Sequence, residues 1–166
     1  MKENTFFDTQ VHEILSLDEL ARQGAQQMIR IALEAEIAVF MDTMKHRTLD
    51  DVKPAVVRNG THKPRQITVG SGAVSVSVPR TRSRDGGENF RSIILPPYMR
   101  RSPKIDEVVP LLYLRGLSNG DIYPVLSKLL GENVSGLSAA NITRLKANWQ
   151  EQYERWTRRN LNDKEY

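Results

Sequence analysis

The sequence contains no cysteine among its 166 residues, so neither a disulfide framework nor a thiolate metal site can form. It has no apolar run near the roughly 20 residues that a membrane-spanning helix needs. The amino terminus lacks a basic stretch followed by an apolar core, so we expect no signal peptide. A composition of 39% hydrophobic and 27% charged residues is typical of a globular protein, and together these features predict a cytoplasmic one.

Acidic residues are missing from two long stretches of the chain. Lys53–Arg84 contains seven lysines and arginines, and Arg91–Lys104 contains four, without one aspartate or glutamate in either. Residues 1–51 carry ten acids and five bases, a balance of −5, whereas residues 52–166 carry nineteen bases and ten acids, a balance of +9. A solvated, solubilising surface normally mixes both signs, so the asymmetry favours a polyanionic partner, which in the cytosol is usually nucleic acid.

Side chains suited to catalysis or metal binding are sparse. The histidines His12, His46 and His62 have no partner at a metal-ligand spacing. Gly70–Gly72 is not a phosphate loop, because no Lys-Ser or Lys-Thr follows it and no helix is expected to begin there. No residue pattern resembles a nucleophile with its base. The sequence therefore predicts no catalytic residue, no metal site and no cofactor in this chain.

Residues 1–48 predict an acidic amphipathic helix. Asp18 is its expected N-cap, and the helix should run to about Met44. Its apolar residues recur at steps of three and four as one stripe that includes Ala25, Met28 and Leu33. Such a stripe must pack on the rest of the chain or on a second copy, so the helix is also a possible oligomer contact. Its acidity does not suit a membrane surface, which prefers basic helices.

Residues 49–99 predict a basic loop followed by a β-hairpin. No period is visible over residues 49–63, which are expected to be irregular. Arg65–Val69 and Ala73–Val78 alternate apolar with polar residues on either side of a glycine turn. Pro79 is expected to end the second strand.

The hairpin should gather basic residues in space. Folding back would bring Arg65 and Arg80 together at its open end, and Leu95–Tyr98 is expected to cross beside it as an extended segment. The predicted phosphate contacts are Arg58, Lys63, Arg65, Arg80, Arg82, Arg84, Arg100 and Arg101.

Residues 100–160 predict three helices in the order of a helix-turn-helix unit. Ser102 should cap the first and Ser138 the last, which should run to about residue 158. For the middle helix we prefer Asp121 as the cap, because Pro124 then falls in the tolerant first turn. The predicted fold is therefore α+β, mainly α with a small β-hairpin.

The last helix carries two stripes of different character. The apolar stripe, expected to be core, comprises Ile142, Leu145, Trp149, Tyr153 and Trp156. On a neighbouring stripe, Asn141, Arg144 and Asn148 are able to hydrogen-bond base edges in a major groove and are the predicted reading residues. The alternative is an ordinary polar helix face.

The order of several short motifs resembles the amino-terminal region of Mutator-type transposases of bacterial insertion sequences. The motifs are Arg58-Asn59-Gly60, Val78-Pro79-Arg80, Leu95-Pro96-Pro97-Tyr98-Met99-Arg100-Arg101, Leu112-Tyr113-Leu114-Arg115-Gly116-Leu117-Ser118 with Asp121-Ile122, and Leu137-Ser138 with Ile142-Thr143-Arg144. Each is weak alone, but their order over residues 58–145 is specific. Trp149-Gln150-Glu151 and Leu161-Asn162-Asp163 resemble the family's passage into its catalytic domain, so residues 161–166 are expected to begin a linker.

The resemblance implies that the parent protein cuts and joins DNA with three carboxylates and two Mg²⁺ ions on a ribonuclease-H-like domain. In the family, the first carboxylate lies on a strand that begins about where this sequence stops, after Tyr166. Asp163 precedes that strand and does not match the catalytic position. We therefore expect this chain alone to lack the catalytic carboxylates and to be inactive, the Mg²⁺ belonging to the full-length family.

The leading hypothesis is a nucleoid-associated, DNA-binding part of a transposase that recognises terminal inverted repeats in double-stranded DNA. A second hypothesis is one piece of an active transposase whose remainder is encoded downstream. A third is a truncated copy that represses transposition by binding DNA or by pairing, either with itself as a homo-oligomer or with full-length transposase. A host helix-turn-helix regulator is the remaining alternative, and the hairpin makes it less favoured.

Overall fold

A computed structural model describes residues 16–49 and 52–159 of the chain. Its elements, in chain order, are α1 (Leu17–Thr43), β1 (Val56–Thr61), β2 (Arg65–Val69), β3 (Gly72–Val76), β4 (Pro79–Ser83), α2 (Pro103–Leu114), α3 (Asn119–Leu130) and α4 (Ala139–Thr157). Helices dominate and the strands form small antiparallel sheets, which confirms the α+β class. None of the described helices is long and apolar enough to cross a membrane. The expected linker at residues 161–166 lies outside the described residues.

Helix α1 begins two residues earlier than the sequence indicated. Ser16, not Asp18, is the N-cap, and its hydroxyl accepts a hydrogen bond from the backbone N–H of Glu19 at 3.1 Å. Asp18 lies instead in the first turn, where its negative charge favours the positive end of the helix dipole. The expected cap was wrong because Ser16 and Asp18 are both residue types that cap helices, and it is the Ser16 hydroxyl that makes the capping contact.

The four strands form two nested hairpins. β2 pairs with β3 across the turn Gly70–Ser71, and β1 pairs with β4 around the outside. Thr61 lies opposite Pro79, where the inner hairpin joins the outer one. The expectation that residues 49–63 are irregular was therefore wrong for β1, and Pro79 begins a strand rather than ending one. β1 was missed because its last four residues are all exposed, which leaves no alternation to detect.

Helix α1 packs across the inner hairpin and shares a hydrophobic core with it. The buried residues of this core are Leu33, Ile67, Val74, Val76 and Leu95. Ile67, Val74 and Val76 confirm the expected alternation, although β3 ends at Val76 and not at Val78. Met28 was assigned to the same stripe but is 66% exposed, so α1 has two apolar faces and not one.

Helices α2, α3 and α4 enclose a second core. Its buried residues are Ile105, Val109, Ile122, Leu126, Leu130, Val134, Leu137 and Ile142. Ser102 and Ser138 are the N-caps of α2 and α4, as expected from the sequence. The helical unit therefore has its own apolar interior, separate from that under α1.

The start of α3 differs from the expectation. Ser118, not Asp121, is the N-cap, and the Ser118 hydroxyl donates to the Asp121 carboxylate at 2.6 Å. Pro124 consequently lies within the helix. Because Pro124 has no N–H, one carbonyl, that of Gly120 four residues earlier, has no helical hydrogen-bond partner. Since Gly120 is exposed, water can satisfy that carbonyl, and the proline is tolerated.

Helix α4 extends beyond the helices on which it packs. It has 19 residues against 12 in each of α2 and α3, an excess of about 10 Å. Ile142 is fully buried, whereas Tyr153 and Trp156 are 53% and 55% exposed. Tyr153 stacks between Trp149 and Trp156, with ring centroids 5.9 and 6.2 Å away. The predicted burial of this stripe is thus confirmed at the start of α4 and wrong at its end, because the end of α4 extends beyond α2 and α3.

The inner hairpin joins the helical unit around the buried residue Thr68. Its N–H donates to the Arg100 carbonyl at 2.9 Å, and its carbonyl accepts from the Ser102 N–H at 2.8 Å. Gly72 comes so close to the end of α3 that a Cβ would lie 2.8 Å from the carbonyl oxygen of Leu130, and its φ of 109° also favours glycine. The segment before α2 therefore adds to the edge of β2 and fixes the hairpin on the helices.

Candidate nucleic-acid interface

A row of three arginines covers the outer face of β4 and the residue after it. Arg80, Arg82 and Arg84 are exposed and alternate with Thr81, which is buried. Successive arginines on one face of a strand stand about 7 Å apart. Within residues 16–49 and 52–159, none of the three has a carboxylate partner. The row therefore presents uncompensated positive charge along one edge of the outer hairpin.

Arg58 lies on the neighbouring strand and is ion-paired. Its Nη2 is 2.6 Å from Oε1 of Glu34 on α1, and both side chains are about half exposed. The hydrogen bond between them lowers the pKa of Glu34 and raises that of Arg58. Because an exposed pair of this kind adds little stability, another anion can compete with Glu34 for the guanidinium.

A cleft of about 470 Å³ opens between the inner hairpin and the loop that precedes α2. Its apolar lining includes Val78, Phe90 and Leu95. The polar and basic residues around it are His62, Lys63, Arg65, Asn89, Arg91, Ser92 and Arg100. None of the described residues that line this basic cleft is an aspartate or glutamate. An apolar floor within a ring of positive charge suits a ligand that carries phosphate.

Arg65 occupies the inner wall of the basic cleft. Its Nη2 donates to the Leu95 carbonyl at 3.0 Å and to the Pro96 carbonyl at 2.7 Å. In the register of the inner hairpin Arg65 lies opposite Val76, and Arg80 belongs to the other sheet. Burial lowers the pKa of Arg65, and the positive charge of Arg100 lowers it further. Its Nε is buried without a hydrogen-bond partner among the described residues. Two neighbouring guanidinium groups repel each other until an anion binds between them, so the cleft favours one.

Tyr98 stands at the mouth of the basic cleft in a strained backbone conformation. Pro97 and Tyr98 form a turn that is closed by the Met99 N–H, which donates to the Pro96 carbonyl at 3.3 Å. The φ of Tyr98 is +67°, a value that this position of a turn usually reserves for glycine. The residue is 90% exposed. The turn corrects the expectation of an extended segment over Leu95–Tyr98, and the strain points to a function for the exposed ring.

Glu36 of α1 fastens the loop that carries part of this cleft. Its Oε1 accepts from the backbone N–H of Ile93 at 2.5 Å and of Ile94 at 3.3 Å, and its Oε2 accepts from the Ser92 hydroxyl at 2.5 Å. The carboxylate is therefore engaged by the loop backbone and does not neutralise the arginines of the cleft.

The three predicted reading residues lie in the first half of α4. Arg144 and Asn148 are exposed and Asn141 is half-buried, on a side of the helix about a quarter-turn from the apolar stripe of Ile142 and Leu145. Within the described part of the chain, Arg144 and Asn148 have no side-chain hydrogen bond or ion pair. This part of the helix surface is therefore available to a ligand.

Arg101 has an internal position, unlike its neighbour Arg100. Arg101 is 9% exposed, and its guanidinium bonds to the Asp106 carboxylate and to the Gly136 carbonyl. These contacts hold the loop before α4 against the start of α2. Arg100 is exposed and lines the basic cleft.

Arg91, His62 and Tyr98 are among the cleft residues that the sequence did not predict as phosphate contacts. Arg91 belongs to an acid-free stretch and could have been chosen by charge alone. His62 was weighed only as a metal ligand. Tyr98 lies in one of the family-like motifs, but its positive φ and its exposure are visible only in three dimensions.

Metal-binding side chains are not clustered in the described part of the chain. No group of three or more His, Cys, Asp or Glu side chains that could hold a metal ion occurs among the described residues.

The chain is similar to known transposases of insertion sequences. Against the transposase for insertion sequence element IS905 of Lactococcus lactis it is 28% identical over 146 residues, which cover 84% of this chain and 35% of the relative. Against that for IS406 of Burkholderia multivorans it is 29% identical over 159 residues, 91% of this chain and 38% of the relative. Against that for IS6120 of Mycolicibacterium smegmatis it is 47% identical over 62 residues, 37% of this chain and 19% of the relative.

These matches differ in how much of each protein they include. The chain spans about a third of the length of the relatives that it matches over most of its own length. The family described as "Transposase, Mutator family" matches residues 2–166. Because this match covers nearly the whole chain, the protein belongs to the Mutator family of transposases.

Proposed function

We propose that this chain binds DNA for its transposase and recognises the terminal inverted repeats of its insertion sequence. The observation that carries the proposal is the basic cleft, where Arg65 and Arg100 lie close together and no described lining residue is a carboxylate. The arginine row on β4 adds a second basic surface, on which the described residues place no carboxylate partner. Double-stranded DNA supplies the dense phosphate charge that both surfaces favour.

Phosphate contacts position a protein on the duplex and carry no sequence information. In this proposal they come from Arg58, Lys63, Arg65, Arg80, Arg82, Arg84 and Arg100. His62 and Arg91 add to them inside the cleft, and the exposed hydroxyl of Tyr98 donates to a phosphate at its mouth. Arg101 is left out because its guanidinium is bonded inside the protein.

Base reading is assigned to Asn141, Arg144 and Asn148. In a helix-turn-helix unit the residues near the start of the recognition helix contact base edges in the major groove. Arginine pairs with guanine and asparagine with adenine through two hydrogen bonds each. Four residues, 115–118, join α2 to α3, and eight, 131–138, join α3 to α4. The unit would thus be a variant with a long second connection.

A competition assay tests sequence recognition. The chain is titrated with a duplex that carries the end of its element, against a scrambled duplex, at two salt concentrations. Changing Arg144→Ala should cost about 1–3 kcal/mol on the specific duplex and little on the scrambled one. Arg155→Ala is a matched control on the same helix, because Arg155 lies about 16 Å along the axis from Arg144, on the part of α4 that extends beyond α2 and α3. Equal affinity of the unaltered chain for both duplexes would refute recognition of the repeats.

The same assay tests the phosphate contacts. Arg82→Ala should weaken both duplexes alike and lower the slope of log affinity against log salt by about 1. Lys45→Ala removes the same charge from the turn that follows α1, where Lys45 is paired with Asp42 at 2.5 Å, and should leave both values unchanged. Binding that does not respond to salt would refute a phosphate-based interface altogether.

Strand transfer is proposed for the longer protein and not for these residues. The relatives are named as transposases, and this chain covers about a third of them. The three carboxylates and the Mg²⁺ implied by the resemblance would supply the chemistry, while the surfaces described above would hold the DNA ends.

A further inference from the structure

Helix α1 carries a second apolar face that no other described element covers. Opposite the residues that pack on the hairpin, nine apolar or small residues are exposed: Leu17, Leu20, Ala21, Gly24, Met28, Ile31, Ala35, Ala38 and Val39. At 100° per residue they fall within an arc of about 100°. Leu17 is 81% exposed, and Met28 and Val39 are each 66% exposed. We call these nine residues the outer seam.

The spacing within the outer seam is that of a coiled coil. Positions 17, 21, 24, 28, 31, 35 and 38 alternate steps of four and three, which gives the seven-residue period of supercoiled helix pairs. The opposite face of α1 already packs on the inner hairpin, so the fold of one chain does not require this seam. A surface helix with one buried face normally carries polar residues on the other.

We propose that the outer seam pairs with the outer seam of a second copy of this chain, as an antiparallel two-helix contact about a twofold axis. If the axis passes between residues 29 and 30, four kinds of apolar layer form. They are Met28 opposite Ile31, Gly24 opposite Ala35, Ala21 opposite Ala38, and Leu20 opposite Val39. The contact is isologous, so each layer occurs twice.

Side-chain size supports this register. Met28 and Ile31 of both copies meet at the centre and fill it. The layers on either side contain only glycine and alanine, which lets the two backbones approach closely there. Leu20 and Val39 close the apolar contact toward both ends. In this register large side chains face large ones, and small side chains face small ones. At the outermost layer Leu17 faces Asp42, whose carboxylate is already paired with Lys45.

The helix dipole favours the antiparallel direction. The first turn of α1 carries Asp18 and Glu19, and its last turn carries no basic residue. In an antiparallel pair the partial positive start of each helix lies beside the partial negative end of the other, which is favourable, whereas a parallel pair would place like ends together.

Light scattering coupled to size exclusion tests the pairing on the full 166-residue chain. The unaltered chain should have twice the monomer mass, and Met28→Glu together with Ile31→Glu should halve it. Both residues are exposed in one chain, so the helical circular dichroism should persist. Leu129→Glu, at a 75% exposed position on α3, is the matched control and should remain a dimer. An unaltered chain that is monomeric, as it would be if residues 1–15 covered the seam, overturns the proposal.

Cross-linking tests the direction, since the chain has no cysteine of its own. Gly24→Cys combined with Ala35→Cys should give a covalent dimer under mild oxidation, because these positions face each other in the antiparallel register. Ala35→Cys alone should not, because its nearest copy would be about 16 Å away along the axis. Efficient cross-linking of the single variant would mean parallel pairing and would overturn the antiparallel one. Neither experiment depends on DNA, so its outcome is independent of the proposed DNA recognition.

Discussion

Thr68 and Ser135 exchange two hydrogen bonds across the junction between the inner hairpin and the helical unit. The Ser135 N–H donates to Thr68 Oγ1 at 2.8 Å, and the Thr68 hydroxyl donates to the Ser135 carbonyl at 3.1 Å. The Ser135 hydroxyl is itself 2.8 Å from the Arg100 carbonyl. Thr68 lies on the hairpin that bounds the basic cleft, and Ser135 lies in the loop before α4. Because Thr68 is fully buried and water cannot replace these bonds, the pair fixes the cleft relative to α4.

Changing Thr68→Val should lower the free energy of unfolding by about 1–3 kcal/mol. Valine keeps the shape of threonine but leaves the N–H of Ser135 without its acceptor. Urea denaturation followed by circular dichroism measures the change. Thr68→Ser keeps the hydroxyl and loses only a methyl group, so it should cost less than Thr68→Val. If serine proves as costly as valine, packing and not the hydroxyl holds this junction.

Changing Tyr98→Gly should separate stability from binding. Glycine adopts the positive φ without strain, so the free energy of unfolding should stay the same or rise by up to about 1 kcal/mol. Affinity for DNA should fall, because the exposed ring and hydroxyl are lost from the mouth of the cleft. Tyr98→Phe retains both the strain and the ring and isolates the hydroxyl. A variant that binds DNA as tightly as the unaltered chain would show that Tyr98 is not a contact.

The turn around Asp85 should make a contribution to the free energy of unfolding that depends on pH. The Ser83 hydroxyl, then the Gly87 N–H at 3.1 Å, then Arg47 hold the pKa of Asp85 at about 2, below its ordinary value of 3.8. A carboxylate whose pKa is lowered by folding stabilises the folded chain. This stabilisation is complete when the pH is above the pKa of the unfolded chain, and it is lost as the pH falls through the pKa of the folded chain.

The matching experiment compares the unaltered chain with Asp85→Asn in urea at several pH values. The unaltered chain should be the more stable at pH 6, and the difference should shrink between about pH 4 and pH 2. A difference that stays constant over this range would mean that the carboxylate charge does not contribute.

The two ends of α4 should respond differently to truncation. Ile142→Ala removes a fully buried side chain and should cost about 2–5 kcal/mol of unfolding free energy. Trp156→Ala removes a larger side chain that is 55% exposed, and should cost less than about 1 kcal/mol. Thermal unfolding of both variants measures the contrast. Comparable losses would mean that the overhanging end of α4 packs on something beyond α2 and α3.

The elements predicted correctly are those whose own residues decide their structure. Ile67, Val74 and Val76 alternate with polar residues, and a glycine turn separates them, so the inner hairpin could be found by pattern alone. The caps Ser102 and Ser138 were found for the same reason. β1 could not be predicted in this way, because it lacks an apolar–polar alternation of its own. It is a strand because it pairs with β4, about 25 residues away in sequence.

The site divides in the same way. Arg80, Arg82 and Arg84 were selected by charge alone, from the acid-free stretch. Their arrangement as a row on β4 was not predicted, because Pro79 was expected to end a strand and in fact begins one. The basic cleft depends on a loop that folds back onto the hairpin, so Tyr98 and Arg91 join Arg65 only in three dimensions. Arg101 was predicted as a phosphate contact on the same ground as Arg100, because sequence shows only their equal charge. In the structure Arg101 is instead bonded to the Asp106 carboxylate and the Gly136 carbonyl.

The nesting of the two hairpins has a consequence for how the chain folds. The inner turn closes over two residues, so we expect β2 and β3 to pair first. Their pairing brings Thr61 opposite Pro79 and lets the His62 N–H donate to the Val78 carbonyl at 2.8 Å. β1 and β4 can then join outward from that point at little further cost in loop entropy, despite their distance in sequence. We therefore expect the slower step of folding to be the docking of the paired strands onto α1 and the helical unit.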